Sequence, residues 1–123
     1  MKSGITIRQQ DIFLVPIPFS DLRAVKKRPV LIISNNFYHR EQDDCLVMAI
    51  TSQIVSGQSY SIVIEKLDLE DGLLPKKSQI RADKVYSVHQ NILVRYFGRL
   101  SLKKYEEATR KLYQLISNVQ ATD

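Results

Sequence analysis

At Ser101 the hydrophobic period of the chain changes, and that switch limits what the chain can fold into. Leu102, Tyr105, Ala108, Leu112, Leu115, Ile116 and Val119 recur at three- and four-residue spacing, which puts them on one face of a helix. A helix that is apolar on one side must lay that side on another layer. Ser101 is its natural N-cap, and Glu106 with Arg110 and Glu107 with Lys111 make i,i+4 pairs on the outer face.

What precedes the helix reads as short strands. Asp11 to Phe19 (DIFLVPIPF) is extended and apolar, and Pro16 and Pro18, which donate no amide, place it at an edge or a barrel rim. Arg28 to Ile33 is a continuous run with the pattern of a strand buried on both faces, and Ser34-Asn35-Asn36 ends it with turn chemistry. Cys45 to Thr51 and Tyr60 to Ile64 follow, and a hairpin across the Gly57-containing link is expected to join them. Glu65 to Gly72 holds four acids in eight residues and reads as a solvated excursion. Two more short strands fit between Ser78 and Gly98. The layer under the helix is therefore a sheet, and a small, mainly β barrel with one packed C-terminal helix is the simplest architecture.

At 123 residues with no linker or repeat, a single domain spanning 1–123 is expected; 44% hydrophobic and 25% charged residues suit a buried core rather than disorder. The single cysteine, Cys45, closes no disulfide within the chain, and neither a signal peptide nor a membrane-length apolar run is present, so a cytoplasmic setting with no membrane partner is expected. One Cys and two His without ligand spacing argue against a metal site. Gly-x-Gly-x-x-Gly, Gly-Lys-Ser/Thr and Gly-x-Ser-x-Gly are all missing, so no cofactor and no serine-hydrolase chemistry are expected.

The net charge of +5 attracts polyanions, nucleic acid above all. The cations cluster near strand ends: Arg23, Lys26, Lys27 and Arg28; then Lys76, Lys77, Arg81 and Lys84; then Arg95, Arg99, Lys103 and Lys104. Each group alone reads equally as a solvated face, and the three together suggest a phosphate-binding surface. Phe37, Tyr38, Tyr86 and Tyr96 have the chemistry to stack on bases, although such aromatics are as well suited to a core.

Several segments, in order, carry a resemblance: Asp11-Ile-Phe-Leu-Val-Pro16, Lys27-Arg28-Pro29-Val-Leu-Ile-Ile-Ser34, Ala49-Ile-Thr51-Ser52, Gln79-Ile-Arg81-Ala-Asp-Lys84, and Ile92 to Gly98-Arg-Leu-Ser101. Together they resemble the successive motifs of the MazF/PemK/Kid family of toxin ribonucleases. The resemblance implies an SH3-like, partly open β-barrel with a C-terminal helix, working as a homodimer. It also implies metal-independent, sequence-selective cleavage of single-stranded mRNA, held in check by a cognate antitoxin.

By position, the resemblance makes Arg28 and Thr51 the catalytic pair and puts Ser52, Gln79 and Arg81 on the RNA; the cation clusters add Lys26, Lys27 and Lys84 to that surface, Asp83 is expected to orient Arg81 or Lys84 by pairing, and His39 is a candidate supporting residue by its type. Taken alone, Arg28 is a surface charge before a strand and Thr51 a strand-end hydroxyl satisfying backbone. Gln10-Asp11 stands where many members have Gly-Asp, and Ser78 where one branch has a proposed acid. Metal-free cleavage has the ribose 2′-OH attack its own phosphate, which calls for fixed cations around phosphorus as well as proton transfer. A guanidinium suits the first task and makes a poor base at neutral pH. His39, expected in a polar loop, and His89, in an alternating strand, have the residue type for acid–base work. The alternative is a non-catalytic toxin of the same fold that binds RNA or poisons a protein such as DNA gyrase.

Overall fold

The computed structural model describes residues 6–17, 26–118 and 120. Pro18, Phe19, Arg23 and Val119 lie outside them. The chain runs β1 (Asp11–Ile17), β2 (Lys26–Ile32), α1 (Asn36–Glu41), β3 (Asp44–Thr51), β4 (Ser61–Ile64), β5 (Leu69–Gly72), β6 (Ser78–His89), β7 (Arg95–Leu100) and α2 (Leu102–Ile116). Short 3₁₀ turns at Lys66–Asp68 and Gln90–Ile92 complete it. The strands make one antiparallel sheet of order β4-β6-β3-β2-β1-β7-β5, curled into a half-barrel with α2 against it.

Alternation sorts the strands onto two faces. Ile12, Leu31, Met48, Ile50, Ile80 and Leu100 pack with Tyr105 and Ala108 of α2, while Phe13, Val15, Val30, Ile32, Cys45 and Val47 pack with Ile7 and Leu93 on the other face. β2 is therefore buried on both sides, as its continuous apolar run predicts. Ser101 caps α2, its hydroxyl accepting from Lys104 N at 3.2 Å. Tyr105 donates its hydroxyl to Ile33 O at 2.8 Å, pinning the helix to the end of β2. Burial pushes that phenol up to about 12. On the outer face Lys104 Nζ meets Glu107 at 3.5 Å.

Four sequence expectations need correction. β1 is not an edge strand, because β2 and β7 flank it; pairing with β7 stops at Leu14, so Pro16 falls where one neighbour has already ended. β3 and β4 form no hairpin, because both pair with the same stretch of β6, which lies between them. Leu69–Gly72, inside the expected excursion, is a strand on β7. Residues 36–41, expected as loop, form α1, capped by Asn35 Oδ1 accepting from Tyr38 N at 2.8 Å.

A bulge curls the sheet. In the β3–β6 ladder Met48 faces Val85 and Ala49 faces Arg81, so Ala82, Asp83 and Lys84 loop out of the register. Extra residues on one strand bend it and increase its twist.

At the other side of the sheet, the buried carboxylate of Asp11, 1% exposed, accepts from Arg8 N at 3.0 Å and Arg99 Nη1 at 3.1 Å. Arg99 also donates to Gln9 O at 3.0 Å, Gln10 Oε1 at 3.3 Å and Glu70 Oε1 at 3.3 Å. One guanidinium thus ties β7 to the chain before β1 and to β5. Gln10 has φ +83°, a region natural to glycine, and donates Nε2 to Leu100 O at 2.9 Å. Gln10→Ala and Gln10→Gly both lose the side-chain bonds, but glycine alone relieves the backbone. Gln10→Gly is expected to be the more stable of the two by about 1 kcal/mol; equal urea midpoints would contradict the strain.

Cys45 is fully buried, and burial chiefly, with Asp44 adding to it, pushes its thiol up to about 12. At pH 8 the native protein is expected to resist alkylation and to label only as it unfolds. Native labelling at the rate of a free thiol would refute the packing around β3.

Candidate active site

The β2–β3 register builds the site. Its last pair is Val30 with Ala49; Arg28 lies two residues beyond on β2 and Thr51 two residues beyond on β3, and both line one cavity. Thr51 in turn pairs with Gln79 of β6. Cross-strand partners share a face, so Arg28, Thr51, Gln79 and Arg81 all project from the side of the sheet away from α2. Two strand ends that look unrelated in sequence thus deliver a guanidinium and a hydroxyl to one place.

A cavity of about 300 Å³ opens at these strand ends, and with Ile50, Leu74 and Phe97 in its lining it also borders the core on the α2 side. Lys26, Lys27 and Arg28 line it from β2, Thr51 and Ser52 from the end of β3, Lys76 from the β5–β6 connection and Ser78 from the start of β6. Leu74, Pro75 and Phe97 supply an apolar wall. The ionisable side chains among these lining residues are all cations. Thr51 Oγ1 accepts from Gln53 N at 3.1 Å, which turns the chain and leaves the hydroxyl hydrogen to donate to a ligand oxygen. Ser78, 4% exposed, donates to Lys76 O at 2.9 Å and so shapes the loop carrying that lysine.

The other candidates lie elsewhere. Gln79 is 3% exposed; its Oε1 accepts from Val55 N at 3.2 Å, and its Nε2 donates to Val55 O at 3.0 Å and Ser61 Oγ at 2.9 Å. It fastens the 52–60 connection beside Thr51 rather than presenting its amide at the surface. Arg81 donates to Asp83 through Nε at 2.9 Å and Nη2 at 2.7 Å, the pairing anticipated for Asp83. That hydrogen bond raises the arginine and holds the carboxyl below its ordinary range. Lys84 sits beside them in the bulge.

His39 is in α1 and 5% exposed, its Nε2 2.6 Å from Ser34 Oγ, at the end of β3 far from Thr51. His89 closes the far end of β6, its Nδ1 accepting from Asn91 N at 3.0 Å. Neither lines the cavity. The third basic group also disperses: Arg99 serves the clasp on Asp11, Lys104 pairs with Glu107, and Arg95 lies on a different groove. Among the aromatics, Tyr86 packs on the core and Tyr96 meets Phe13 edge-on at 5.7 Å, whereas Phe37 is exposed with Arg40 over its ring at 4.7 Å. Among the described residues no three His, Cys, Asp or Glu side chains group as a metal site would need, and no helix is long and apolar enough to cross a membrane.

Residues 8–116 match the family described as PemK-like, MazF-like toxin of type II toxin-antitoxin system. The chain belongs to that family. No curated protein matches it. Among solved structures, an endoribonuclease from a mycobacterial species is 17% identical over 92% of this chain and 93% of that one, with a TM-score of 0.72. A chain of the MazE-MazF structure from Deinococcus radiodurans is 15% identical over 93% of this chain and 98% of that one, at 0.74. The Mycobacterium tuberculosis toxin MazF-mt6 is 19% identical over 89% and 98%, at 0.68. At such identities the likeness establishes a shared fold. The PemK/MazF chain described here keeps that fold with Gln10 at a left-handed position and Ser78 in the cavity wall.

Sequence reasoning missed Gln90, whose buried Nε2 donates to Gln42 O at 2.8 Å and to His39 O and Asp44 O, each at 3.2 Å, joining α1 to β3. It also missed Pro75 and Phe97 in the wall of the cavity. No local signal marks either role, since each depends on which segments the sheet brings together.

Proposed function

We propose that this chain is a toxin endoribonuclease that cuts single-stranded mRNA at specific sequences without a metal, through attack of the ribose 2′-OH on its own phosphate. The observation that carries the reading is the meeting of Arg28 and Thr51 in a cavity whose charged walls are all cationic. Family membership and the endoribonuclease name of a structural relative support it. As the P–O2′ bond forms and the P–O5′ bond breaks, negative charge gathers on the phosphoryl oxygens. Arg28 faces that charge with a bidentate fork, and Thr51 donates its hydroxyl to a phosphoryl oxygen. Lys26, Lys27 and Lys76 raise the local potential, Ser52 adds a hydroxyl at the rim, and Arg81 and Lys84 hold RNA further along the same face. Gln79 is a positioning residue, and Asp83 orients Arg81.

In this reading the toxin works as a homodimer, and a cognate antitoxin occupies the cationic surface. One structural relative is an endoribonuclease in complex with its cognate antitoxin. The test is incubation of the antitoxin-free protein with long single-stranded RNA in excess EDTA. Discrete fragments ending in cyclic phosphate and 5′-hydroxyl support the reading, and intact RNA across several unrelated sequences overturns it.

A further inference from the structure

Beyond Pro75 and Phe97 lies a second groove, of about 620 Å³, which shares Leu74, Pro75 and Phe97 with the first cavity. The two spaces are thus separated by one apolar ridge. Lys66 and Arg95 are the charged residues lining the second groove, with Leu73 and Tyr96 beside them. Leu73, 70% exposed, adds apolar surface to that lining. Its position is fixed: Gly72, at φ +85°, runs so close to β7 that a Cβ there would meet Phe97 O and would stand 2.5 Å from Gly98 Cα.

The acids of the Glu65 to Gly72 segment are engaged within the fold. Glu70 takes Arg99 at 3.3 Å, Asp71 accepts the Tyr96 hydroxyl at 2.7 Å, and Asp68 accepts from Glu65 N at 2.8 Å. Burial and the Asp71 bond push the Tyr96 phenol up to about 12, so it stays a neutral donor. What faces the groove is two cations beside exposed apolar and aromatic surface.

Resting on the ribonuclease reading, we propose that this groove is an accessory subsite for a nucleotide of the same RNA strand outside the cleaved step. Its phosphate lies on Lys66 and Arg95, and its base lies on Leu73 and the Tyr96 ring. A strand crossing the Pro75–Phe97 ridge passes from one cationic pocket to the next, and every base has a face that can be stacked.

The experiment compares two oligoribonucleotides with the same cleaved site, one trimmed to the nucleotides at the cut and one extended at both ends. The Lys66→Gln/Arg95→Gln double variant changes two exposed side chains and is checked for wild-type circular dichroism. The expected result is a loss of about tenfold in kcat/KM confined to the extended substrate, with the salt slope of binding shallower by about 0.7 for each phosphate that the variant no longer neutralises. An equal loss on both substrates, or no loss on either, overturns the subsite. If wild type cuts neither oligonucleotide, the ribonuclease reading fails and takes the proposal with it, a result distinct from the other two.

Discussion

Arg28→Ala is expected to fold as the wild type does and to lose RNA cleavage by about 10²–10³-fold, the scale seen when one preorganised donor is removed from a developing oxyanion. Arg28 lies past the last residue of β2 paired with β3 and belongs to neither core cluster, so truncating its side chain leaves the backbone ladder to β1 and both cores in place. Arg28→Lys keeps the charge but loses the fork, and is expected to recover only part of the activity. Thr51→Val, which keeps shape and removes the hydroxyl, is expected to fall between wild type and Arg28→Ala. A folded Arg28→Ala protein that still cuts at the wild-type rate would remove the arginine from the chemistry.

Arg99 gives the largest expected effect on stability. Arg99→Ala withdraws the guanidinium from a carboxylate that is 1% exposed and breaks the hydrogen bonds to Gln9, Gln10 and Glu70 together. Breaking a buried pair from one side typically costs about 3–5 kcal/mol, because a desolvated charge is left behind. Arg8 also reaches Asp11, at 3.4 Å, so the lower end of that range is expected. Urea unfolding of Arg99→Ala, Asp11→Ala and the double variant measures it. The expected double-variant loss is well below the sum of the singles. Additive effects, or a loss under about 1 kcal/mol for Arg99→Ala, would mean that the clasp is peripheral.

Much of this fold was legible in the chain because its strongest signals are local. The apolar runs of β2 and β3 and the period change at Ser101 depend only on near neighbours, and they predict the two-faced core and the capped helix. Sequence separation hides the rest. Asp11 and Arg99 stand 88 residues apart, so nothing near Arg99 distinguishes it from a surface cation. The insertion of β6 between β3 and β4 is a pairing choice between distant segments, and a local reading defaults to a hairpin.

The site divides in the same way. Motifs single out Arg28 and Thr51 as candidates, and their place in the lining of one cavity depends on how the sheet brings β2 and β3 together, which no local pattern states. Gln79 carries a motif position but turns inward, because Val55 and Ser61 offer its amide complete satisfaction. His39, by residue type an acid or base, is instead on the buried face of α1 against Ser34. Ionisable side chains say what chemistry is available, and burial decides which of it reaches a substrate.

In the proposed mechanism the cationic pocket at Arg28 and Thr51 directs a ribose 2′-OH onto its own phosphate. The most direct measurement uses one oligoribonucleotide with a mapped cut site and a twin carrying a single 2′-deoxy sugar on the 5′ side of that phosphate. The expected result is that both bind with similar affinity in excess EDTA and that the deoxy twin stays whole. Cleavage of the deoxy twin at the same bond and rate would contradict the claim, since the attacking oxygen would then have to come from water.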